Sequence, residues 1–240
     1  GGVVGRYFGN DGEGVIRNCS STGFDIQSSS GGICGSNCGY ESSNGITIEY
    51  CYSYDNQLNH DHAGGICGRY MGRNGKVDLK YSYFNGSATT ETTGNASLGG
   101  LTSSNCGDGG EANIYHCYGS FQINDVNNNT GGLCANNCGA NSGTVNIYNC
   151  YFKGNFESNP ASDNTYKSGS LIGGVPGSNV KIENCFANGN WGKVFTNGTF
   201  GTDDYNQNGK ATLKNLKSNN KWIHLYALQT LTKTTDSANN

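Results

Sequence analysis

A glycine doublet followed by an aliphatic residue recurs along the chain. It opens GGVVGRYFG at Gly1, GGICGSNCG at Gly31, GGICGRYMG at Gly64, GGLTSSNCG at Gly99 and GGLCANNCG at Gly131, and a sixth copy, IGGVPGSN, lies around Gly173. A second block follows each doublet: VIRNCSS, ITIEYCYS, VDLKYSYF, NIYHCYGS, VNIYNCYF and VKIENCFA. Aligned, these blocks have an aliphatic residue three before a cysteine column (Ile16, Ile48, Leu79, Ile114, Ile147, Ile182). They also have an aromatic just after it (Tyr52, Tyr83, Tyr118, Tyr151, Phe186), with Ser20 the exception. A looser third block carries one large apolar group, as Phe24, Phe121, Phe156 and Trp191.

Alternation at period two within each block is the mark of a half-buried strand, and columns of one residue type mean that equivalent strands stack. A chain that returns to the same columns and buries each pass against the next is a solenoid. The expected fold is therefore all-β, a right-handed parallel β-helix of about six turns over residues 1–191, with turns starting near residues 1, 31, 64, 99, 131 and 173. At strand spacing six turns make a rod of ~29 Å. Residues 192–240 drop the pattern and are expected to form a C-terminal cap or docking segment containing Trp222, Ile223, Leu225 and Leu228. Strict alternation would put the cysteine column outside. A bend at Asn18, Tyr50, His116, Asn149 or Asn184 would turn it inward, and the bend is favoured because Asn suits corners and Cys is typically buried.

Composition agrees with a thin core. Of 240 residues, 39 are glycine, 34% are hydrophobic and only 14% are charged, against roughly 45–50% apolar and about 25% charged in ordinary domains. Low charge separates the chain from disordered sequences, and the missing Gly period excludes collagen. No stretch approaches the ~20 apolar residues of a membrane-spanning helix. A net charge of -3 gives no basic patch, so nucleic acid is not an expected partner.

The segment GGLCANNCGANSGTVNIYNCYFKG resembles the GLUG repeat: a Gly-Gly-aliphatic opening, a polar-Gly turn, a short aliphatic strand and an Asn-Cys-aromatic close. The resemblance covers about residues 1–191. It implies a β-solenoid in a large secreted or surface protein, often as a stalk or adhesive region, with no catalytic residues of its own.

The eleven cysteines fall in three columns: Cys34, Cys67 and Cys134 at the fourth position of a repeat, Cys38, Cys106 and Cys138 at the eighth, and Cys19, Cys51, Cys117, Cys150 and Cys185 in the late column. In the third repeat the eighth and late positions are lost together, as Met71 and Ser82. Paired loss points to disulfides within a turn, Cys38–Cys51, Cys106–Cys117 and Cys138–Cys150; a buried ladder of free thiols is the alternative. An odd total leaves at least one thiol free or joined to another chain, and this density fits an oxidising compartment.

Other chemistry is thinly represented. His60-Asp61-His62 could contribute metal ligands, but no third ligand is evident and a structural loop is expected; no metal or cofactor is assigned. Polysaccharide-cleaving β-helices need clustered carboxylates, whereas Asp25, Glu41, Glu49, Asp55, Asp78, Glu111, Asp125, Glu157 and Glu183 are scattered. An enzyme is not expected. No Thr column supports ice binding. The aromatic column Tyr52, Tyr83, Tyr118, Tyr151 and Phe186 would pack if half-buried and could hold a glycan if outside. Asn-x-Ser/Thr occurs at Asn18, Asn85, Asn95, Asn128 and Asn197; Asn85, Asn95 and Asn128 are the better glycosylation candidates, and Asn18, beside a core column, the worst.

The sequence begins inside a repeat, so its first turn is expected to be covered by other protein or to stack head-to-tail on another copy. The expected function is an extracellular structural β-solenoid, as part of a filament, stalk or adhesive surface structure. A carbohydrate-binding or polysaccharide-cleaving β-helix is the second reading, and an ice- or surface-binding protein the third.

Overall fold

The computed structural model describes residues 1–88, 97–123, 129–154, 171–173, 176–177 and 179–188, together with strands at 211–214 and 217–218. Within these the chain is all strand and turn. In chain order the strands are β1 (Gly14–Arg17), β2 (Ser20–Thr22), β3 (Asp25–Ile26), β4 (Ile46–Glu49), β5 (Tyr52–Leu58), β6 (Lys76–Lys80), β7 (Tyr83–Ala88) and β8 (Glu111–Tyr115). They continue as β9 (Tyr118–Ser120), β10 (Thr144–Tyr148), β11 (Tyr151–Lys153), β12 (Asn179–Glu183), β13 (Phe186–Asn188), β14 (Ala211–Lys214) and β15 (Lys217–Ser218).

Every pairing is parallel and joins strands one turn apart. One sheet runs β1-β4-β6-β8-β10-β12-β14 and the other β15-β13-β11-β9-β7-β5-β2, with β3 also on β5. The aliphatic column is in strict register, Ile16 to Ile48 to Leu79 to Ile114 to Ile147 to Ile182. The doublets pair likewise, Gly31 to Gly64 to Gly99 to Gly131. The architecture is a β-solenoid of about four turns.

The opening arm of each turn is not a strand. Its seventh residue (Tyr7, Asn37, Tyr70, Asn105, Asn137), its ninth (Gly9, Gly39, Gly72, Gly107, Gly139) and its eleventh (Asp11, Glu41, Asn74, Gly109, Asn141) all have positive φ. The arm nevertheless stacks by its own ladder. The Asn37 N–H donates to the Arg69 carbonyl of the next turn, the Gly39 N–H to the Phe8 carbonyl of the previous one, and the Glu41 N–H to the Arg73 carbonyl of the next. The same three bonds recur at Tyr70, Gly72 and Asn74 and at Asn105, Gly107 and Gly109, so backbone groups are satisfied without a sheet.

The doublet is required by close approach and not by left-handed backbone. A methyl at Gly65 would coincide with the Gly100 carbonyl of the next turn and with the Phe84 ring. Inside, the core is one residue thick in each column, and volume lost in one column is restored from another. Phe84 and Phe152 occupy the column in which the intervening turn has Gly119. Phe121, two residues on, fills the gap with its ring centroid 6.2 Å from Phe84 and 5.3 Å from Phe152. Of the other residues expected in the third block, Phe24 is exposed, while Phe156 and Trp191 lie outside the described residues.

The parallel sheets extend past the expected end of the repeat. β14 pairs β12 with Ile182 opposite Leu213, and β15 pairs β13. The sequence ATLKNLKS therefore continues the VKIENCFA block, with Leu216 where the earlier copies carry Cys or Ser. Trp222, Ile223, Leu225 and Leu228 lie outside the described residues.

Replacing Gly65 by Ala should lower stability by about 2–3 kcal/mol through overpacking. Gly5→Ala, where a methyl meets nothing within 4 Å, should change it by less than about 0.5 kcal/mol. Urea unfolding of the two variants checks the contrast.

Candidate functional site: the corner ladders

Between the two sheets the chain turns on a single residue. Asn18, Tyr50, Tyr81, His116, Asn149 and Asn184 hold φ between 47° and 55°, a left-handed conformation that costs a non-glycine residue about 1–2 kcal/mol. This is the bend that turns the cysteine column inward. Asn tolerates such a backbone because its side chain bonds locally. Tyr and His gain from stacking on one another: the Tyr50 and Tyr81 centroids are 5.2 Å apart at 8°, and those of Tyr81 and His116 are 5.1 Å apart at 6°.

From the second corner on, the carbonyl just before the corner accepts two hydrogen bonds, one from the turn before and one from its own turn; the Arg17 oxygen before the first takes the Cys19 thiol alone among the bonds described. The Glu49 oxygen takes the Asn18 N–H and the Cys51 thiol, at 3.2 and 3.3 Å. The Tyr115 oxygen takes the Tyr81 N–H and the Cys117 thiol, the Tyr148 oxygen the His116 N–H and the Cys150 thiol, and the Glu183 oxygen the Asn149 N–H and the Cys185 thiol. In the third turn the Ser82 hydroxyl makes the same bond to the Lys80 oxygen at 2.7 Å and also accepts the Cys51 N–H at 3.1 Å. Ser82 is thus a working substitute for a thiol donor. Met71, lost from the cysteine pattern together with it, is fully buried in the arm's interior column.

All eleven cysteines are free thiols in the structure, so Cys38–Cys51, Cys106–Cys117 and Cys138–Cys150 are not closed. Cys51 instead neighbours Cys19, and Cys150 neighbours Cys117 and Cys185, along the late column. Cys38 neighbours Cys34 in the arm. Cys106, Cys134 and Cys138 form a fully buried cluster. Hydrogen bonds from Cys134 and Cys138 pull the Cys106 thiol down to about 5, a bond to Cys106 pushes Cys138 well above the ordinary thiol range, and burial does the same for Cys134.

Aromatic ladders flank the corner on both sides. Tyr52 stacks on Tyr83 at 4.6 Å, Tyr118 on Tyr151 and Tyr151 on Phe186 at 5.2 Å each, and Tyr115 on Tyr148 at 5.5 Å. The column Tyr52, Tyr83, Tyr118, Tyr151, Phe186 is half-buried. Since its stacked rings cover one another's faces, the ladder offers solvent mainly ring edges and hydroxyls. A sugar stacks on an aromatic face, so only the outer ring of each run has one to give.

The remaining candidates separate. His60 bonds Asp25 at 3.3 Å, one turn back, while His62 Nδ1 and the Ser104 hydroxyl are hydrogen-bonded at 2.9 Å, further along the coil. Among the described residues no three His, Cys, Asp or Glu side chains are placed to hold a metal ion. The acids of the strand face are largely taken up by cations: Glu49 by Arg17, Asp78 by Lys80 and Glu111 by Lys76. Asp125 and Glu157 lie outside the described residues. Asn85 is exposed on β7, and Asn18 is exposed at its corner and not shielded by the core column beside it; Asn95, Asn128 and Asn197 lie outside the described residues.

One polar centre lies off the repeat columns. Asn56, fully buried at the bulge of β5, donates to Ser21 Oγ at 3.0 Å and Ser53 Oγ at 2.8 Å and accepts the Phe24 N–H at 2.7 Å. It ties the first two turns together where the register slips.

Compared with protein-family models, curated proteins and solved structures, the chain gave no match. No described helix is long and apolar enough to cross a membrane.

Ser82→Cys should stay within about 1 kcal/mol of the parent, whereas Ser82→Ala, which strands the Cys51 N–H, should cost about 1–3 kcal/mol; denaturant unfolding distinguishes them. Burial holds the His62 pKa below its ordinary value, so its neutral form belongs to the folded state. Its contribution is present above about pH 6.5 and is lost as pH falls through the folded pKa. Thermal melts from pH 7 to 5 should show falling stability, and His62→Asn should flatten the fall.

Proposed function

We propose that this chain is a segment of an extracellular structural rod, a filament, stalk or adhesive surface element of GLUG-like type, and not an enzyme. The observation that carries this is how its distinctive side chains are used. The corner thiols, which also reach the carbonyls of Ile16, Leu79, Ile114 and Ile147 one turn back, the stacked aromatics and the doublets are spent on contacts between one turn and the next, in register from β1 to β13. Such a surface is repetitive, and its ladders serve the length of the coil.

In this reading residues 1–191 supply six turns, β14 and β15 carry the sheets past them, and the rest of residues 192–240 forms a C-terminal cap. Asn85 carries glycan, and copies stack head-to-tail or join further turns of a larger surface protein. The carbohydrate-binding alternative has less support, because stacked rings hide the faces that sugars use.

Light scattering and negative-stain microscopy of the purified chain over a range of concentrations test the proposal. Unbranched rods that lengthen with concentration are the expected result. Globular monomers at every concentration, or turnover of a polysaccharide, would overturn it.

A further inference from the structure

Two asparagines among the described residues carry an Asn-x-Ser signal, Asn18-Cys19-Ser20 and Asn85-Gly86-Ser87. The corner asparagines Asn149 and Asn184 lack it, because Tyr151 and Phe186 stand where Asn18 has Ser20. The one exception in the aromatic column is thus what turns a corner into an acceptor. Asn18, Ser20, Asn85 and Ser87 are all exposed.

Each asparagine also has an exposed tyrosine at the equivalent position of the neighbouring turn. Asn85 is the direct partner of Tyr54 in the ladder of β5 and β7. Asn18 and Tyr50 are successive corners, flanked by the register pairs Arg17 with Glu49 and Ser20 with Tyr52. Tyr50 is 41% exposed and Tyr54 36%. Tyr50 is the outer ring of its run: Tyr81 covers one face at 5.2 Å, and the other is turned towards the coil turn that carries Asn18. Tyr54 stands between Thr22 and Asn85 in its column and has no ring contact among the described residues.

In-register positions of neighbouring turns lie ~4.8 Å apart, and the stacked rings of this coil are spaced accordingly, from 4.6 Å for Tyr52 on Tyr83 to 5.5 Å for Tyr115 on Tyr148. A pyranose joined to an asparagine amide leaves the coil in the same outward column as the tyrosine beside it. Its C–H face then meets the electron-rich face of the ring.

We infer that Asn18 and Asn85 are N-glycosylation sites whose first sugar, an N-acetylhexosamine, lies on Tyr50 and on Tyr54 as the next rung of the column. This rests on the extracellular reading above, since the sugar is attached along a secretory route. The donor is a polyprenyl diphosphate-linked oligosaccharide. The bond from asparagine Nδ2 to sugar C1 forms, the C1–O bond breaks with its electron pair going to the diphosphate, and the amide gives up one proton. Both acceptors are at the surface of the folded coil, so neither sugar has to be buried.

The test secretes the full chain from a glycosylating cell line and trims each glycan with an endoglycosidase to one N-acetylglucosamine. The host imposes the compartment, so the result is independent of whether the chain forms rods. Peptide mapping by mass spectrometry should find the sugar at Asn18 and at Asn85. Ser20→Ala and Ser87→Ala each remove one acceptor signal and leave the asparagine in place. Loss of either sugar should lower the folding equilibrium constant, read from urea unfolding, about three- to tenfold, the range of one aromatic contact. Ser87→Ala should cause no such drop beside Tyr54→Ala and the full drop beside Tyr54→Phe. Tyr50→Asn, which installs the residue that other corners use, should likewise cancel the effect of Ser20→Ala. A bare Asn18 or Asn85, no drop when a sugar is lost, or a drop that persists without the Tyr50 or Tyr54 ring would overturn the inference.

Discussion

A coil whose interior is one side chain thick holds together only if every turn returns to the same register, and the carbonyl that precedes each corner after the first enforces that return. It accepts an N–H from the neighbouring turn and a thiol or hydroxyl from its own, using both lone pairs of one oxygen. A slip of one residue would break both bonds at once and send the aliphatic column to solvent. The same point explains why a strained left-handed residue is kept at every corner. The bend brings the donor side chain back over the carbonyl and turns the next strand so that its aromatic lies on the outer stack.

The doublets and the arm solve the complementary problem of distance. Where two glycines meet the next turn, backbone approaches backbone more closely than any side chain permits. The arm that follows has no strand geometry, yet its alternating bonds to the turns above and below give it a ladder of its own. Local volume is then free to vary, as the exchange between Gly119 and Phe121 shows.

The strands and their stacking were legible because two periods coincide in the sequence, an alternation of two within a block and a return of the block itself. The inward turn of the cysteine column was legible from Asn18, Asn149 and Asn184, since Asn is at home in a left-handed corner; Tyr50 and Tyr81 gave no such hint and are held there by stacking. The chemistry of the columns was harder to see. Ser82 looked like a loss, because letters do not show that a hydroxyl and a thiol donate to the same oxygen. ATLKNLKS carries no such mark, because Leu216 stands in the column where the earlier copies have Cys or Ser. His60 and His62 are neighbours in sequence but serve different turns, and Asn56 matters through a bulge that has no compositional mark. As for the candidate site, the aromatic column could be found by alignment, but that its rings shield one another follows only from their angles.

The direction of the ladders has a mechanical consequence. The bonds joining one turn to the next lie along the axis of the coil, so a pull on its two ends loads them in line and not in shear. Under such a load they would part a turn at a time. Each released turn of about 33 residues would pay out on the order of 110 Å of chain, while the turns behind it stayed wound.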